Sequence, residues 1–219
     1  MSSNKQSTLL LLRHAKSAWP DVPDHDRPLA RRGKRDAPLM GRWLHMAGYD
    51  PDLVVCSSAR RATQTWKRMQ SALESAPSAT FTDRVYEATA VKLLDVIRSA
   101  PATVRVLLVV GHDPGLPSLA CSLVAATREA EVSEGKQAVL ADGDRMRAKF
   151  PTAAIAAFDV IGRWAEFAPG AARLACFVTP HDLQTVQAAG GENGYPGTVS
   201  AGGGARLNPR KCRQRSLYR

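Results

Sequence analysis

The sequence predicts an α/β three-layer sandwich, with a mostly parallel central sheet covered by helices on both faces. Three observations carry that expectation. Short, continuously apolar runs recur along the chain, as in "TLLLLR", "DLVVCS" and "VRVLLVVG". Between them lie longer segments whose apolar residues fall at helical spacing. The runs lack the alternation of a half-exposed sheet, so both faces must be covered. A hydrophobic content of 44% over 219 residues suffices for one domain with a substantial core.

The elements follow in order. A buried first strand is expected over 8–12. In "PLARRGKRDAPLMGRWLHMAGY", Ala37, Met40, Trp43, Leu44 and Ala47 share one helical face, and Gly48 is placed to end it. "PDLVVCSS" reads as the second strand and "ARRATQTWKRMQSALES" as the helix after it, with a short strand over 79–82. "AVKLLDVIRSAP" is a helix carrying Val91, Leu94, Val96 and Ile97, closed by Pro101. "VRVLLVVGH" is a strand and "GLPSLACSLVAAT" a helix. The polar stretch 128–147 is expected to be a loop with a short helix, and "AAIAAFDVI" and "ARLACFVTP" to be two late strands. No internal repeat is present.

After His181 the composition turns Gly-rich, basic and poor in large apolar groups. The expected organisation is one domain over 1–183 and a disordered tail over 184–219. Arg206, Arg210, Lys211, Arg213, Arg215 and Arg219 face the single acid Glu192 there, so the tail holds half of the formal charge of +10. The folded part is only mildly basic. Nucleic acid is therefore not an expected partner, beyond nonspecific contact by the tail, where Tyr195 and Tyr218 are the sole aromatics for stacking. Cys56, Cys121, Cys176 and Cys212 form no C-x-x-C pair, and the run over 9–12 is too short for a secretory h-region. No stretch is long enough to span a membrane. The expectation is a cytoplasmic monomer with free thiols and no membrane association.

Ligands of open α/β sheets sit at the carboxyl ends of the strands. Three strand ends here carry polar clusters, "LLLLRHAKS", "LVVCSSARRATQT" and "LLVVGHDPG", which supply Arg13, His14, Arg61, His112 and Ser17. Taken singly, each has an ordinary explanation as a solvated charge, a scaffold histidine or a turn. Arg60 and Arg61 at a helix start oppose the macrodipole, however, which favours a task for one of them. Jointly, two arginines and two histidines without an acidic cluster suit a phosphoryl group. Guanidinium forks match its oxygens, and a neutral imidazole is a competent nucleophile near neutral pH.

The same segments resemble the histidine phosphatase superfamily, with its phosphoglycerate mutase-like fold, and within it the small SixA-type phosphohistidine phosphatases. "LLLLRHAKS" is similar to the R-H-G signature, with Ala15 in place of the glycine. "DRPLARRGKRDA", "SSARRATQT", "VYEAT", "VVGHDPGL" and "FPTAAIAAF" follow in the family's order. The resemblance spans about Thr8 to His181. It implies that His14 is the nucleophile, that Arg13 and Arg61 clamp the phosphoryl oxygens, and that His112 donates to them. It makes Glu87 the proton donor, places Ser17 where relatives often contact phosphate, and gives Arg60 no catalytic role. It further implies a phosphorylated protein or small phosphate ester as substrate, and no metal or other cofactor. The short segment between Glu87 and His112 leaves little room for a helical lid, which suits a bulky substrate such as a phosphorylated side chain.

Three other readings stand beside this one. The first is a broad phosphomonoesterase acting on small phosphate esters, and the second a phosphate-binding module without turnover. The third, a metal-dependent phosphohydrolase using His25-Asp26, His112-Asp113 or His181-Asp182, finds no metal-ligand spacing to support it.

Overall fold

Leu9, Leu10, Leu11 and Leu12 are all fully buried, because alternate side chains enter two different cores on opposite faces of one sheet. Leu9 and Leu11 face one core, and Leu10 and Leu12 face the other. At about 2 kcal/mol per fully buried leucine, this strand alone is a large part of what anchors the sheet. The computed structural model describes residues 6–73, 77–126 and 134–189.

Six strands form one sheet: β1 (Ser7–Arg13), β2 (Leu53–Ser57), β3 (Ser78–Thr82), β4 (Val106–Gly111), β5 (Ile155–Val160) and β6 (Ala172–Val178). Their order is β3-β2-β4-β1-β5-β6. β1, β2, β3 and β4 pair in parallel, whereas β5 is antiparallel to both of its neighbours. β5 is thus the one reversed strand among those described, and the sheet is mostly parallel, as the apolar runs predict.

Helices α1 (Arg31–Met46), α2 (Arg60–Met69) and α6 (Pro180–Ala189) cover one face, through Met40, Trp43, Trp66 and Leu183. Helices α3 (Ala90–Arg98), α4 (Gly115–Ala125) and α5 (Glu134–Ala148) cover the other, through Leu93, Ile97, Leu119, Leu123 and Met146. The three-layer sandwich is therefore observed. No described helix is long and apolar enough to cross a membrane. Cys56, Cys121 and Cys176 form no disulfide.

Two expectations differ from the structure. The stretch 128–147, read as a loop with a short helix, is mostly occupied by the fifteen-residue helix α5, which ends at Ala148. Over 140–148 its inward side carries Asp142 beside Met146, and a Cβ on Gly143 would touch Val124, so a carboxylate and a glycine interrupt the apolar stripe that signals a helix. Asp142 is satisfied by accepting from the Phe177 N–H at 3.2 Å and from Arg145 at 3.1 Å. The domain boundary expected at 183 falls inside α6, which continues to Ala189. The rest of the tail, 190–219, lies outside the described residues.

Candidate active site

Parallel register places two histidines side by side. Arg13 of β1 is the partner of Gly111 of β4, so the next residues, His14 and His112, leave adjacent strands together. Their ring centroids are 5.0 Å apart. Both residues are buried. Arg61, in the first turn of α2, reaches the same crevice from beyond β2 and is likewise buried, while Arg60 beside it is exposed.

The His14 ring has a defined tautomer. Its Nδ1 lies 2.8 Å from the Ala15 carbonyl oxygen, which can only accept, so Nδ1 carries the proton. In the neutral ring Nε2 is then a bare lone pair. Burial lowers the His14 pKa to about 4, assisted by the Arg61, Arg13 and Arg27 charges and opposed by the Ala15 bond. The imidazole is therefore neutral at physiological pH. Burial likewise lowers His112 to about 3, with His14 and Arg61 adding to the effect. His112 Nε2 lies 2.7 Å from the Ser57 hydroxyl, and its buried Nδ1 has no hydrogen-bond partner among the described residues.

The loop that carries His14 is fixed from below. The Ala15 N–H donates to Thr65 Oγ1 at 3.0 Å, and that hydroxyl donates to the Arg61 carbonyl at 2.6 Å. Gln64 Oε1 accepts from the Leu29 N–H at 2.8 Å. The "QT" of "RRATQT" thus ties α2 to the segment that follows His14, at Ala15 and at Leu29. Gly33 serves the same loop from α1, since a Cβ there would lie 2.2 Å from the Lys16 carbonyl oxygen. On the far side, a Cβ on Gly115 would come within 1.8 Å of the Ala88 carbonyl oxygen, so α4 presses directly on the segment holding Tyr86 and Glu87.

Each arginine is held by a carboxylate. Arg13 donates from Nη1 to the Phe150 carbonyl at 2.6 Å and pairs through Nη2 with Asp113 at 2.9 Å. Arg61 donates from Nη2 to Asp24 Oδ2 at 2.8 Å and from Nη1 to the Asp24 carbonyl at 2.5 Å. Arg27, buried and stacked on Trp19 at 3.2 Å from the ring centroid, donates to Asp24 Oδ1 at 2.7 Å and to Ser17 Oγ at 2.8 Å. Ser17, expected at the phosphate, is thus bonded to Arg27. Glu87 is exposed, and its φ of +48° is a left-handed conformation that costs a non-glycine residue about 1–2 kcal/mol.

Asp24, Arg27, Tyr86, Ser57 and Thr65 are site residues that the sequence reading missed. Arg27, Ser57, Thr65 and Tyr86 lie inside its motifs, but only the contacts reveal what each holds. A neighbouring polar cluster is inert by the same accounting. His25 Nε2 lies 2.9 Å from Ser58 Oγ, but Ser58 donates its proton to Asp83, so the histidine donates to the serine and does not act as its base. Among the described residues, no group of three or more His, Cys, Asp or Glu side chains could hold a metal ion.

Comparison with known proteins places this chain among relatives. The model of the histidine phosphatase superfamily (branch 1) matches residues 9–92. An uncharacterized protein of Mycobacterium tuberculosis strain H37Rv is 41% identical over 170 residues, covering 77% of this chain and 99% of the relative. A SixA structure from Nakamurella multipartitia is 33% identical with a TM-score of 0.67, over 80% of this chain and 96% of that one. A SixA structure from Agrobacterium tumefaciens is 28% identical with a TM-score of 0.61, over 80% and 98%.

Proposed function

This chain belongs to the histidine phosphatase superfamily, in its SixA-type branch, and from that premise we propose that it removes a phosphoryl group from phosphohistidine on a protein, by way of a phosphohistidine on its own His14. The observation that carries the proposal is the His14 ring, buried, neutral and with its bare Nε2 fixed by the Nδ1 bond to Ala15.

Nε2 attacks phosphorus in line, and a P–N bond forms as the bond to the leaving group breaks. Arg13 and Arg61 take the charge that spreads over the equatorial oxygens. The resemblance gives His112 the part of a further donor to those oxygens, and its ring is held by the Ser57 hydroxyl, 2.7 Å from Nε2. Glu87 supplies a proton to the leaving group and afterwards deprotonates water, which attacks phosphorus and releases phosphate and His14. No metal is required by this sequence of steps. Both SixA structures are named as candidate phosphohistidine phosphatases, and the proposal takes the same substrate class. Between Glu87 and His112 the chain forms α3 and β4 alone, which supports an open site that admits a side chain on a protein surface.

A substrate panel tests the proposal. A phosphohistidine peptide should be turned over with higher kcat/KM than aryl phosphate or sugar phosphates, at rates unaffected by EDTA. Preference for the small esters would replace it with a broad phosphomonoesterase. Phosphate binding without turnover of any substrate would leave a binding module.

A further inference from the structure

Asp24 has no part in the reaction proposed above, yet four hydrogen bonds converge on it. Arg61 gives it both Nη atoms, at 2.5 and 2.8 Å. The Tyr86 hydroxyl donates to Oδ2 at 2.9 Å, and Arg27 Nη1 donates to Oδ1 at 2.7 Å. One nitrogen from each guanidinium and the phenol meet on the carboxylate, while the Arg61 Nη1 serves the Asp24 backbone carbonyl; guanidinium and hydroxyl donors are also what a phosphoryl group seeks. The Asp24 charge reaches the crevice floor, where it favours protonation of His112. Partial burial pushes the Asp24 carboxyl up, but the bonds from Arg27, Tyr86 and Arg61 outweigh it and hold the group well below the usual carboxylate range.

We propose that Asp24 is a built-in counter-anion that competes with the phosphoryl group for Arg61, and so sets how tightly the site binds phosphate. The identity of the competing group rests on the phosphatase reading. A buried guanidinium needs a partner, and Asp24 provides one for Arg61. An oxyanion arriving at Arg61 must displace that carboxylate or bind beside it against like-charge repulsion. Phosphate is therefore held less tightly than the bare clamp would hold it, which keeps the product from saturating the enzyme.

A residue that merely aims Arg61 would have the opposite signature, so removing the charge decides between the two. The probe is inorganic phosphate, measured by calorimetry on the full chain and as a competitive inhibitor of aryl phosphate turnover. Asp24→Asn should lower the Kd of phosphate by about tenfold or more, and KM for aryl phosphate should fall with it. Asp26→Asn, on the same turn, should change neither beyond about twofold. Unchanged or weaker phosphate binding by Asp24→Asn would overturn the proposal. If that variant does not fold, the wild-type chain gives a second readout. Saturating phosphate should shift the carboxylate carbon resonance of Asp24 as Arg61 is drawn away, and a fixed resonance would contradict competition. Phosphate bound equally by wild type and variant would defeat this inference alone. Phosphate bound by neither, with no phosphorylated His14, would defeat the phosphatase reading as well.

Discussion

The rings of His14 and His112 stand 5.0 Å apart because their predecessors, Arg13 and Gly111, are register partners on adjacent parallel strands. Neighbouring strands lie about 4.8 Å apart, so the sheet itself sets the spacing. Burial at that junction makes both imidazoles hard to protonate.

The neutral tautomer can be observed directly. Nitrogen NMR of the His14 ring at pH 7 should show a protonated Nδ1 and a bare Nε2, and the ring should remain neutral at pH 6. A protonated Nε2, or titration near 6.5, would contradict the assignment.

A stability slope follows from the same shifts. Both histidines have folded pKa values below the ordinary 6.5, so between pH 6.5 and about 4 the unfolded chain binds more protons. Their contribution is fully present above about pH 6.5 and is lost as the pH falls through that window. Thermal unfolding should therefore show a falling Tm on acidification. His14→Asn should make that slope shallower. Equal slopes would rule out His14 as a contributor.

Arg61 should resist conservative replacement. Its two Nη atoms serve the Asp24 carbonyl and carboxylate in one fork, which an ammonium cannot reproduce. Arg61→Ala should lower kcat by about 10³-fold or more, and Arg61→Lys should recover little of it. Near-wild-type kcat for Arg61→Lys would show that a point charge suffices.

Glu87 separates substrates. Glu87→Gln should damage turnover of aryl phosphate but affect phosphohistidine more mildly, because an imidazole leaving group needs less protonation. Equal, total loss on both would refute the proton-donor role. Glu87→Gly should raise stability by about 1 kcal/mol in denaturant unfolding, since glycine tolerates the left-handed φ at this position. The residue would thus be kept at a cost in stability.

Thr65 supports the nucleophile without touching substrate. Thr65→Val leaves the buried Ala15 N–H without its acceptor and should cost about 1–3 kcal/mol in denaturant unfolding. Activity should fall as well, and Thr65→Ser should restore both. Loss of stability without loss of activity would show that the His14 loop does not depend on this bond.

The strands and the motif residues at their ends were legible because an apolar run followed at once by Arg–His or Gly–His carries its own signal. Helix α5 was not, since Asp142 and Gly143 stand beside Met146 on its inward side, and polar or small groups read as loop. Nor was the reversed direction of β5, whose run "AAIAAFDVI" looks the same in either sense. Asp24 and Tyr86 were hidden for a different reason. They lie 62 residues apart and acquire meaning through one hydrogen bond that forms only when the turn at Asp24–Asp26 folds over Arg61. Motif spacing reports the residues that do chemistry on one strand end, not those that neutralise them from across the crevice.

The central claim is a covalent bond between phosphorus and His14. Rapid quench during turnover of a phosphorylated substrate, followed by peptide mapping, should recover a phosphoryl group on His14 that is labile in acid and stable in alkali. An acid-stable adduct, an adduct on another side chain, or full velocity from His14→Ala would contradict the account.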